Sequence, residues 1–105
     1  MKQIESIPKR FTKGQIFLER ILNKLGFQTV LEYSVGLYYI DIFVPELNLG
    51  IEFEGMGHFK RRDAKRDKEI FNNSGIRIAR IKQKQLNERD IQKIIGGLEN
   101  ENFDR

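Results

Sequence analysis

Three carboxylates lie close together on two neighbouring segments that the sequence predicts to be β-strands. Asp41 lies on the first strand, and Glu52 and Glu54 lie on the second. Glu52 and Glu54 share one face, because successive side chains of a strand alternate between faces. A tight turn centred between Glu46 and Leu47 would place Asp41 directly opposite Glu52, with the two Cβ atoms about 5 Å apart. The spacing therefore predicts a carboxylate pair on one face of a sheet.

The predicted pair requires a cation, since two uncompensated carboxylates at this distance repel each other. The candidates are a Lys or Arg side chain and a hard divalent ion held by oxygen ligands, of which Mg²⁺ is the obvious choice. The nearest basic residue along either strand is Lys60. This shortage favours a metal ion, and a basic side chain from another element is the alternative.

A histidine and an aspartate follow the acidic pair. His58 is the only histidine and lies four residues after Glu54, next to Gly57. Because imidazole titrates near neutral pH, His58 can accept a proton from a metal-polarised water, although a lone histidine is more often an ordinary polar residue. Asp63 lies near the predicted start of a helix. We interpret it either as an N-cap or a partner of Arg66, or as an acceptor that orients His58 or the water.

A run of charge follows the histidine directly. Residues 60–69 read KRRDAKRDKE, with six basic and three acidic residues. Such a run is usually the solvated face of a helix. Its position beside the acidic pair makes it a candidate phosphate-binding surface, together with basic residues on and after the fourth predicted strand. The predicted nucleic-acid contacts are Lys60, Arg61, Arg62, Lys65, Arg66, Arg80 and Lys82, supplemented by Arg77 and Lys84.

Composition limits the classes of protein to consider. The chain has 105 residues, of which 39% are hydrophobic, a net charge of +4 and no cysteine. We expect a single domain over 1–105, since this length supports one core. The lack of cysteine excludes disulfides, thiolate zinc sites and cysteine nucleophiles. No apolar run resembles a membrane span or a signal peptide, so we expect no membrane association and a cytoplasmic location.

The hydrophobic pattern predicts the element order αβββαβα. Residues 1–10 are expected to form an N-terminal extension and residues 99–105 an acidic, frayed tail. Thr12 and Gln15 have the spacing of a helix capping box, and Asn87 is a suitable N-cap for the last helix. The predicted helices cover 12–25, 62–73 and a segment after 87, and the predicted strands cover 29–35, 37–44, 49–54 and 76–81. We therefore expect an α/β fold of the α+β kind, with helices flanking a mixed four-stranded sheet and a right-handed crossover.

The acidic residues and the histidine form a longer motif. From Asp41 to Asp63 the pattern is Asp-x10-Glu-x-Glu-Gly-x2-His-x4-Asp, which resembles the PD-(D/E)XK nuclease superfamily. It is most similar to the branch that contains very-short-patch repair endonucleases and the phage and intron homing endonucleases with an E-D-x-H-D active-site pattern. The resemblance covers about residues 12–81. It implies a restriction-endonuclease-like core, which agrees with the predicted element order.

The resemblance implies a role for each residue of the motif. Asp41 is expected to be the principal metal ligand, Glu52 the second carboxylate, and the backbone carbonyl of Phe53 a further ligand. His58 is expected to act as the general base or to position the water, and Asp63 is the closing aspartate. The implied reaction is metal-assisted hydrolysis of a phosphodiester, with Mg²⁺ as the cofactor and Mn²⁺ as its substitute.

Two positions depart from the family pattern. Glu54 stands where the superfamily usually has Lys, and His58 is the candidate to take over that task. Gln15 stands where the related families have a glutamate on the first helix, and an uncharged amide binds a hard cation poorly. Gln15 is therefore a capping-box residue with Thr12, a position whose role Glu19 has taken over, or an inactivating substitution. Glu54 and Glu19 are candidate further metal ligands.

The predicted function is that of a metal-dependent DNA endonuclease catalytic domain, the cleavage module of a homing endonuclease or of a very-short-patch-repair-like nuclease. The expected partners are double-stranded DNA, a second copy of the chain on DNA, and a recognition domain outside this chain, in a bacterial or phage-infected cell. RNA is an alternative substrate, since no residue visibly reads a 2′-OH. The alternative functions are a non-catalytic nucleic-acid-binding module with the same fold, and an interaction domain whose acidic strands and basic helix only pair with each other.

Overall fold

The helices and strands follow the predicted order. The computed structural model describes residues 13–54 and 60–103, so Thr12 and His58 lie outside the described residues. The helices are α1 (Lys13–Lys24), α2 (Lys60–Ser74) and α3 (Glu88–Phe103), and the strands are β1 (Val30–Val35), β2 (Tyr38–Val44), β3 (Leu49–Glu54) and β4 (Arg77–Lys82). Two short 3₁₀ turns, Pro45–Leu47 and Gln83–Gln85, precede β3 and α3. The predicted αβββαβα order and the α+β class are confirmed.

The four strands form one mixed sheet in the order β1-β2-β3-β4. β1 and β2 form a hairpin through Gly36, whose φ of 59° lies in the left-handed region that glycine adopts without strain. β2 pairs antiparallel with β3, and β3 pairs parallel with β4 across the α2 crossover. Ile42 lies opposite Ile51, which is the predicted register of the β2–β3 pair.

Helices cover both faces of the sheet, and each face has its own core. Each fully buried aliphatic side chain stabilises the fold by on the order of 1.5–3 kcal/mol. The core under α1 and α3 contains Leu18, Ile21, Leu22, Ile42, Val44, Leu49, Ile51, Ile81, Ile91 and Ile95. The core under α2 contains Val35, Ile40, Phe43, Ile70 and Ile76. The two cores hold the sheet from both sides and so fix the strand ends that carry the acidic residues.

β2 changes face at Asp41. Ile40 packs in the α2 core, whereas Ile42 packs in the α1–α3 core. Residues two apart in a regular strand share a face, so the strand is irregular between them. The register places Glu32 of β1 opposite Asp41, and Glu32 has a φ of 52°, a left-handed conformation that costs a non-glycine residue about 1 kcal/mol. Asp41 therefore lies where the hairpin twists between its two faces.

Several element boundaries differ from the prediction, most of them by one or two residues, and three of the differences matter here. α2 begins at Lys60 rather than at residue 62, because Lys and Arg are good helix formers. Asp63 consequently lies inside the first turn, and its interpretation as the N-cap is wrong. β4 covers 77–82 rather than 76–81. α3 extends through Phe103, so it includes residues 99–103 of the segment predicted to be an acidic tail.

The start of α3 agrees with the sequence. Asn87 caps α3 as predicted, because its Oδ1 accepts a hydrogen bond from the Asp90 N–H at 2.8 Å. Within the described ranges, none of the helices is both long enough and apolar enough to cross a membrane.

Candidate functional site

The carboxylates of Asp41 and Glu52 both accept backbone hydrogen bonds across the end of the β2–β3 ladder. The backbone N–H of Asp41 donates to Oε2 of Glu52 at 2.9 Å. The backbone N–H of Phe53 donates to Oδ2 of Asp41 at 3.2 Å. Each carboxylate thus accepts a hydrogen bond from the strand that carries the other. The structure brings the two carboxylates together, as the predicted register requires, and Glu52 is only 7% exposed.

The charge of Asp41 is incompletely compensated. Burial raises the pKa of Asp41 to about 6, from an ordinary value of 3.8. The negative charge of Glu52, and more weakly that of Glu32, raises this pKa further, whereas the Phe53 N–H and Arg66 lower it. The ionised form of Asp41 is therefore costly at this position, and a cation close to its carboxylate would lower that cost.

Arg66 supplies a cation that the strands themselves lack. Its Nη2 lies 3.2 Å from Oε2 of Glu52, the same oxygen that accepts from the Asp41 N–H. Nη2 also donates to the carbonyl of Tyr39, and the guanidinium carbon lies 5.6 Å from the centre of the Tyr38 ring. The alternative in which a basic side chain comes from another element is thus realised at Glu52.

A second arginine lies beside Glu52 on the neighbouring strand, where the parallel register pairs Glu52 with Arg80. Arg80 contacts both carboxylate oxygens of Asp67, from Nη2 at 2.7 Å and from Nε at 3.1 Å. Its Nη1 lies 3.5 Å from Oδ2 of Asp63. Asp63 therefore forms an ion pair with Arg80, whereas the sequence suggested Arg66 as a partner.

Gln15 brings α1 to the same site. It is 3% exposed, and its Nε2 donates to the carbonyl of Asp41 at 3.2 Å and to Oε2 of Glu32 at 3.5 Å. Gly14 permits this close approach, because a Cβ at that position would lie 2.5 Å from the Phe53 ring. Gln15, at the position where the resemblance implies a glutamate, thus lies beside Asp41.

Two of the interpretations of Gln15 involve other residues, Thr12 and Glu19. Thr12, the capping-box partner, lies outside the described residues. Glu19, the candidate replacement, accepts a hydrogen bond from the Thr29 hydroxyl at 3.3 Å. Its carboxylate is therefore directed towards the residue before β1, one helical turn away from the Gln15 amide.

Two residues of the site were missed in the sequence. Glu32 lies opposite Asp41 because of the hairpin register, and counting outwards from the Gly36 turn would have indicated it. Asp67 lies one turn after Asp63 on α2, and this spacing places both carboxylates on one helix face. The spacing of Asp63 and Asp67 in the sequence could have indicated that the two carboxylates share a basic partner such as Arg80.

The predicted nucleic-acid contacts differ in how far they face solvent. Arg66 and Arg80 are directed into the acidic network, with side chains 20% and 15% exposed. Lys65 and Lys82 are exposed, and Lys82 is paired in the β3–β4 register with the half-buried Glu54. His58 and the side chains of residues 60–62 lie outside the described part of the chain.

The oxygen donors of the site fit a hard divalent cation. The carboxylates of Asp41 and Glu52 and the carbonyl of Phe53 are the ligand type that Mg²⁺ prefers, and the raised pKa of Asp41 reflects charge that a cation would compensate. Among the side chains described in 13–54 and 60–103, no group of three or more His, Cys, Asp and Glu could hold a metal ion. A cation on this pair would therefore need further ligands, such as water or phosphate oxygens.

Comparison with known proteins identifies a shared fold. No protein-family model matches the chain, and no curated protein matches it. A solved structure described as the homing endonuclease I-Bth0305I catalytic domain is similar to it, with a TM-score of 0.61. The match covers 84% of this chain and 91% of that chain at 17% identity. The chain therefore has the fold of a homing endonuclease catalytic domain.

Proposed function

We propose that the chain is the catalytic domain of a metal-dependent DNA endonuclease, and that it is the cleavage module of a homing endonuclease or of a very-short-patch-repair-like nuclease. The observation that carries the proposal is the Asp41–Glu52 pair, in which backbone N–H groups hold Asp41, a carboxylate whose pKa is raised by burial, next to the almost fully buried Glu52. Such an arrangement opposes folding at neutral pH, which favours a functional reason for it. The fold shared with a homing endonuclease catalytic domain supports the proposal.

The acidic pair would hold the divalent cation. Asp41, Glu52 and the carbonyl of Phe53 are the proposed ligands, with Mg²⁺ as the expected ion and Mn²⁺ as its substitute. When bound, the cation supplies polarisation of the phosphoryl oxygen and neutralises charge that develops on the leaving oxygen. Asp41 is mostly ionised at neutral pH, because its pKa of about 6 lies below 7. Glu52 is held in position by the Asp41 N–H and by Arg66.

The proton of the attacking water would pass to His58, as the family resemblance implies. The imidazole nitrogen accepts the proton, and Asp63 is the residue proposed to orient the imidazole or the water. Asp63 lies in the first turn of α2, soon after His58 in the chain. Its ion pair with Arg80 helps to fix the start of α2 against β4.

The proposed substrate is double-stranded DNA, bound at the end of the sheet that carries the acidic pair. Lys82 is exposed and lies beside Glu54 at this end, and Lys65 is exposed and precedes Arg66 on α2; both are proposed phosphate contacts. Each phosphate contact releases counterions, so binding should weaken steeply with salt. One active site per chain cuts one strand, so double-strand cleavage requires a homodimer on DNA. We expect target recognition to come from a further domain outside this chain.

A non-catalytic nucleic-acid-binding module is the second candidate. Two observations favour it: Gln15 places an uncharged amide beside Asp41, and Arg66 already forms an ion pair with Glu52. In this case the contacts between the acidic strand and the basic helix are structural, and divalent metal ions bind weakly or not at all.

The deciding experiment is nicking of supercoiled plasmid in Mg²⁺ and in EDTA by the unmodified chain, Gln15→Glu and His58→Ala. Mg²⁺-dependent nicking by the unmodified chain that is lost in His58→Ala supports the endonuclease. Nicking by Gln15→Glu alone supports a nuclease fold silenced at residue 15. If none of the three proteins nicks DNA, the endonuclease proposal is overturned and the binding module is favoured.

A matched variant controls for effects of charge on α1. Glu19→Gln removes a carboxylate one helical turn from Gln15, where Glu19 contacts Thr29. Nicking should persist in this variant. Its loss, in a folded protein, would indicate that Glu19 has taken over the role of the family glutamate.

A further inference from the structure

Glu52 uses one oxygen for two hydrogen bonds. Its Oε2 accepts from the Asp41 N–H at 2.9 Å and from Nη2 of Arg66 at 3.2 Å. A carboxylate oxygen has two lone pairs, so these bonds fill the capacity of Oε2. A cation that coordinates Oε2 must displace one of the two donors. The Asp41 N–H belongs to the backbone of a strand, so the side chain of Arg66 is the donor that can move.

The two arginines beside Glu52 are held very differently. Arg80 contacts both oxygens of Asp67 and also lies close to Asp63, which leaves its guanidinium fixed. Arg66 has single contacts to Glu52 and to the Tyr39 carbonyl, a longer one of 3.4 Å to Asp67, and the contact with the Tyr38 ring, but no bidentate ion pair. Tyr39, which Arg66 contacts, is itself exposed. A guanidinium held by single contacts can be released from its partners at a lower free-energy cost than one held by a bidentate ion pair.

A divalent cation bound to the acidic pair would also repel the positive charge of Arg66. A cation shared by Asp41 and Glu52 would lie within a few ångströms of the Arg66 guanidinium. Like charges at such distances repel strongly in a half-buried site, where water screens them poorly. If coordination used the other oxygen of Glu52, the hydrogen bond could survive but the repulsion would not be relieved. Both routes weaken the contact between Arg66 and Glu52.

We propose that Arg66 is an exchangeable counter-ion of Glu52, which neutralises this carboxylate before a divalent cation binds and is released when the cation binds. The released guanidinium becomes available to a phosphate of the nucleic acid. This inference rests on the proposed metal-dependent function and adds a positioning residue to it. It explains how Arg66 can form an ion pair with Glu52 before the cation binds and contact a phosphate after the cation has bound.

Isothermal titration with Mn²⁺ tests the exchange without relying on cleavage. The proteins are the unmodified chain, Arg66→Gln, and the control Lys68→Gln, which removes an exposed charge from the same helix. Arg66→Gln should bind Mn²⁺ about tenfold more tightly, a gain of about 1.4 kcal/mol. Lys68→Gln should stay within about twofold of the unmodified chain, since exposed charges are screened. Asp41→Asn should abolish binding in both backgrounds, which locates the ion.

The outcomes separate this inference from the nuclease proposal. Equal or weaker Mn²⁺ binding by folded Arg66→Gln would overturn the exchange, whereas Mg²⁺-dependent plasmid nicking would still support the nuclease. Failure of every protein to bind Mn²⁺ would overturn the exchange, and the plasmid assay would then decide the nuclease proposal on its own.

A measurement on the unmodified chain covers the case in which Arg66→Gln fails to fold. The Nε–Hε resonances of Arg66 and Arg80 can be followed by NMR during a titration with Mg²⁺. The Arg66 resonance should shift and its Hε should exchange faster with water, while Arg80, held by Asp67, should change little. An Arg66 resonance that stays in place as Mg²⁺ saturates the site would overturn the inference.

Discussion

Different kinds of interaction hold the helices on the two faces of the sheet. Between the sheet and α1 with α3, the buried core residues are all aliphatic. Between the sheet and α2, the core is smaller and gives way, at the end of β3 and β4, to a network of charges. This network consists of Glu52 with Arg66 and of Arg80 with Asp63 and Asp67.

The two faces therefore differ in what they contribute, one to the stability of the fold and the other to the candidate site. Burial of aliphatic groups stabilises a fold in proportion to the area removed from water. Half-buried ion pairs contribute little net stability, because the loss of hydration offsets the attraction between the charges. The α1–α3 face is therefore expected to carry most of the stability, and the α2 face is left to hold charged side chains at the candidate site.

The largest expected effect is a substitution in the α1–α3 core. Leu22 is fully buried there, so Leu22→Ala should lower the free energy of unfolding by about 3 kcal/mol, through lost burial and the cavity left behind. Urea unfolding followed by circular dichroism measures it. Leu37→Ala is the control, because Leu37 is 96% exposed at the hairpin turn and should change stability by less than about 0.5 kcal/mol. A loss below about 1 kcal/mol for Leu22→Ala would contradict the assignment of stability to this face.

The next effect concerns the charged face. Arg80→Ala leaves Asp63 and Asp67 without their shared partner and should cost about 2 kcal/mol, less than for a fully buried pair because the side chains are 15–25% exposed. A double-mutant cycle with Asp67→Ala measures the interaction itself. The double variant should be more stable than the sum of the single losses predicts, by about 1 kcal/mol. Strict additivity would show that the network does not act as a unit.

Asp41 is expected to oppose stability at neutral pH. Its folded pKa of about 6 lies above the ordinary 3.8, so the folded chain binds this proton more tightly than the unfolded chain. The contribution of Asp41 is therefore intact below about pH 4 and is lost as the pH rises through about 6. Asp41→Asn should stabilise the protein by about 1 kcal/mol at pH 7, after allowance for solvent screening, and by nearly nothing at pH 4.

Thermal unfolding of both proteins across this pH range measures the effect. The substitution removes the charge of residue 41 and keeps its hydrogen bond, because the amide oxygen of Asn can still accept from the Phe53 N–H. The same variant should lose plasmid nicking under the proposed function, so one substitution is expected to raise stability and remove activity. Destabilisation at pH 7 would show that Arg66 already compensates the Asp41–Glu52 pair.

The Asp41–Glu52 pair could be predicted from the sequence because the strand register that creates it has a local cause. The short Pro45–Leu47 turn sets the β2–β3 register, and alternation along β3 then places Glu52 on the face of Asp41. The face change at Asp41 was not predictable from alternation, because residues 42–44 are all apolar and give no period. The contacts of Arg66 were not predictable either, because they depend on how α2 packs across the sheet after a crossover.

The smallest expected effect on stability belongs to the exposed lysines. Lys82→Gln and Lys65→Gln should change the free energy of unfolding by less than about 0.5 kcal/mol, because both side chains face solvent. Each should nevertheless lower the slope of log affinity against log salt by about one for a DNA duplex, measured by fluorescence anisotropy in EDTA. Lys24→Gln is the matched control, since Lys24 is exposed but pairs with Glu88 on the α1–α3 side. An equal change of slope in all three variants would mean that DNA does not approach the acidic end of the sheet.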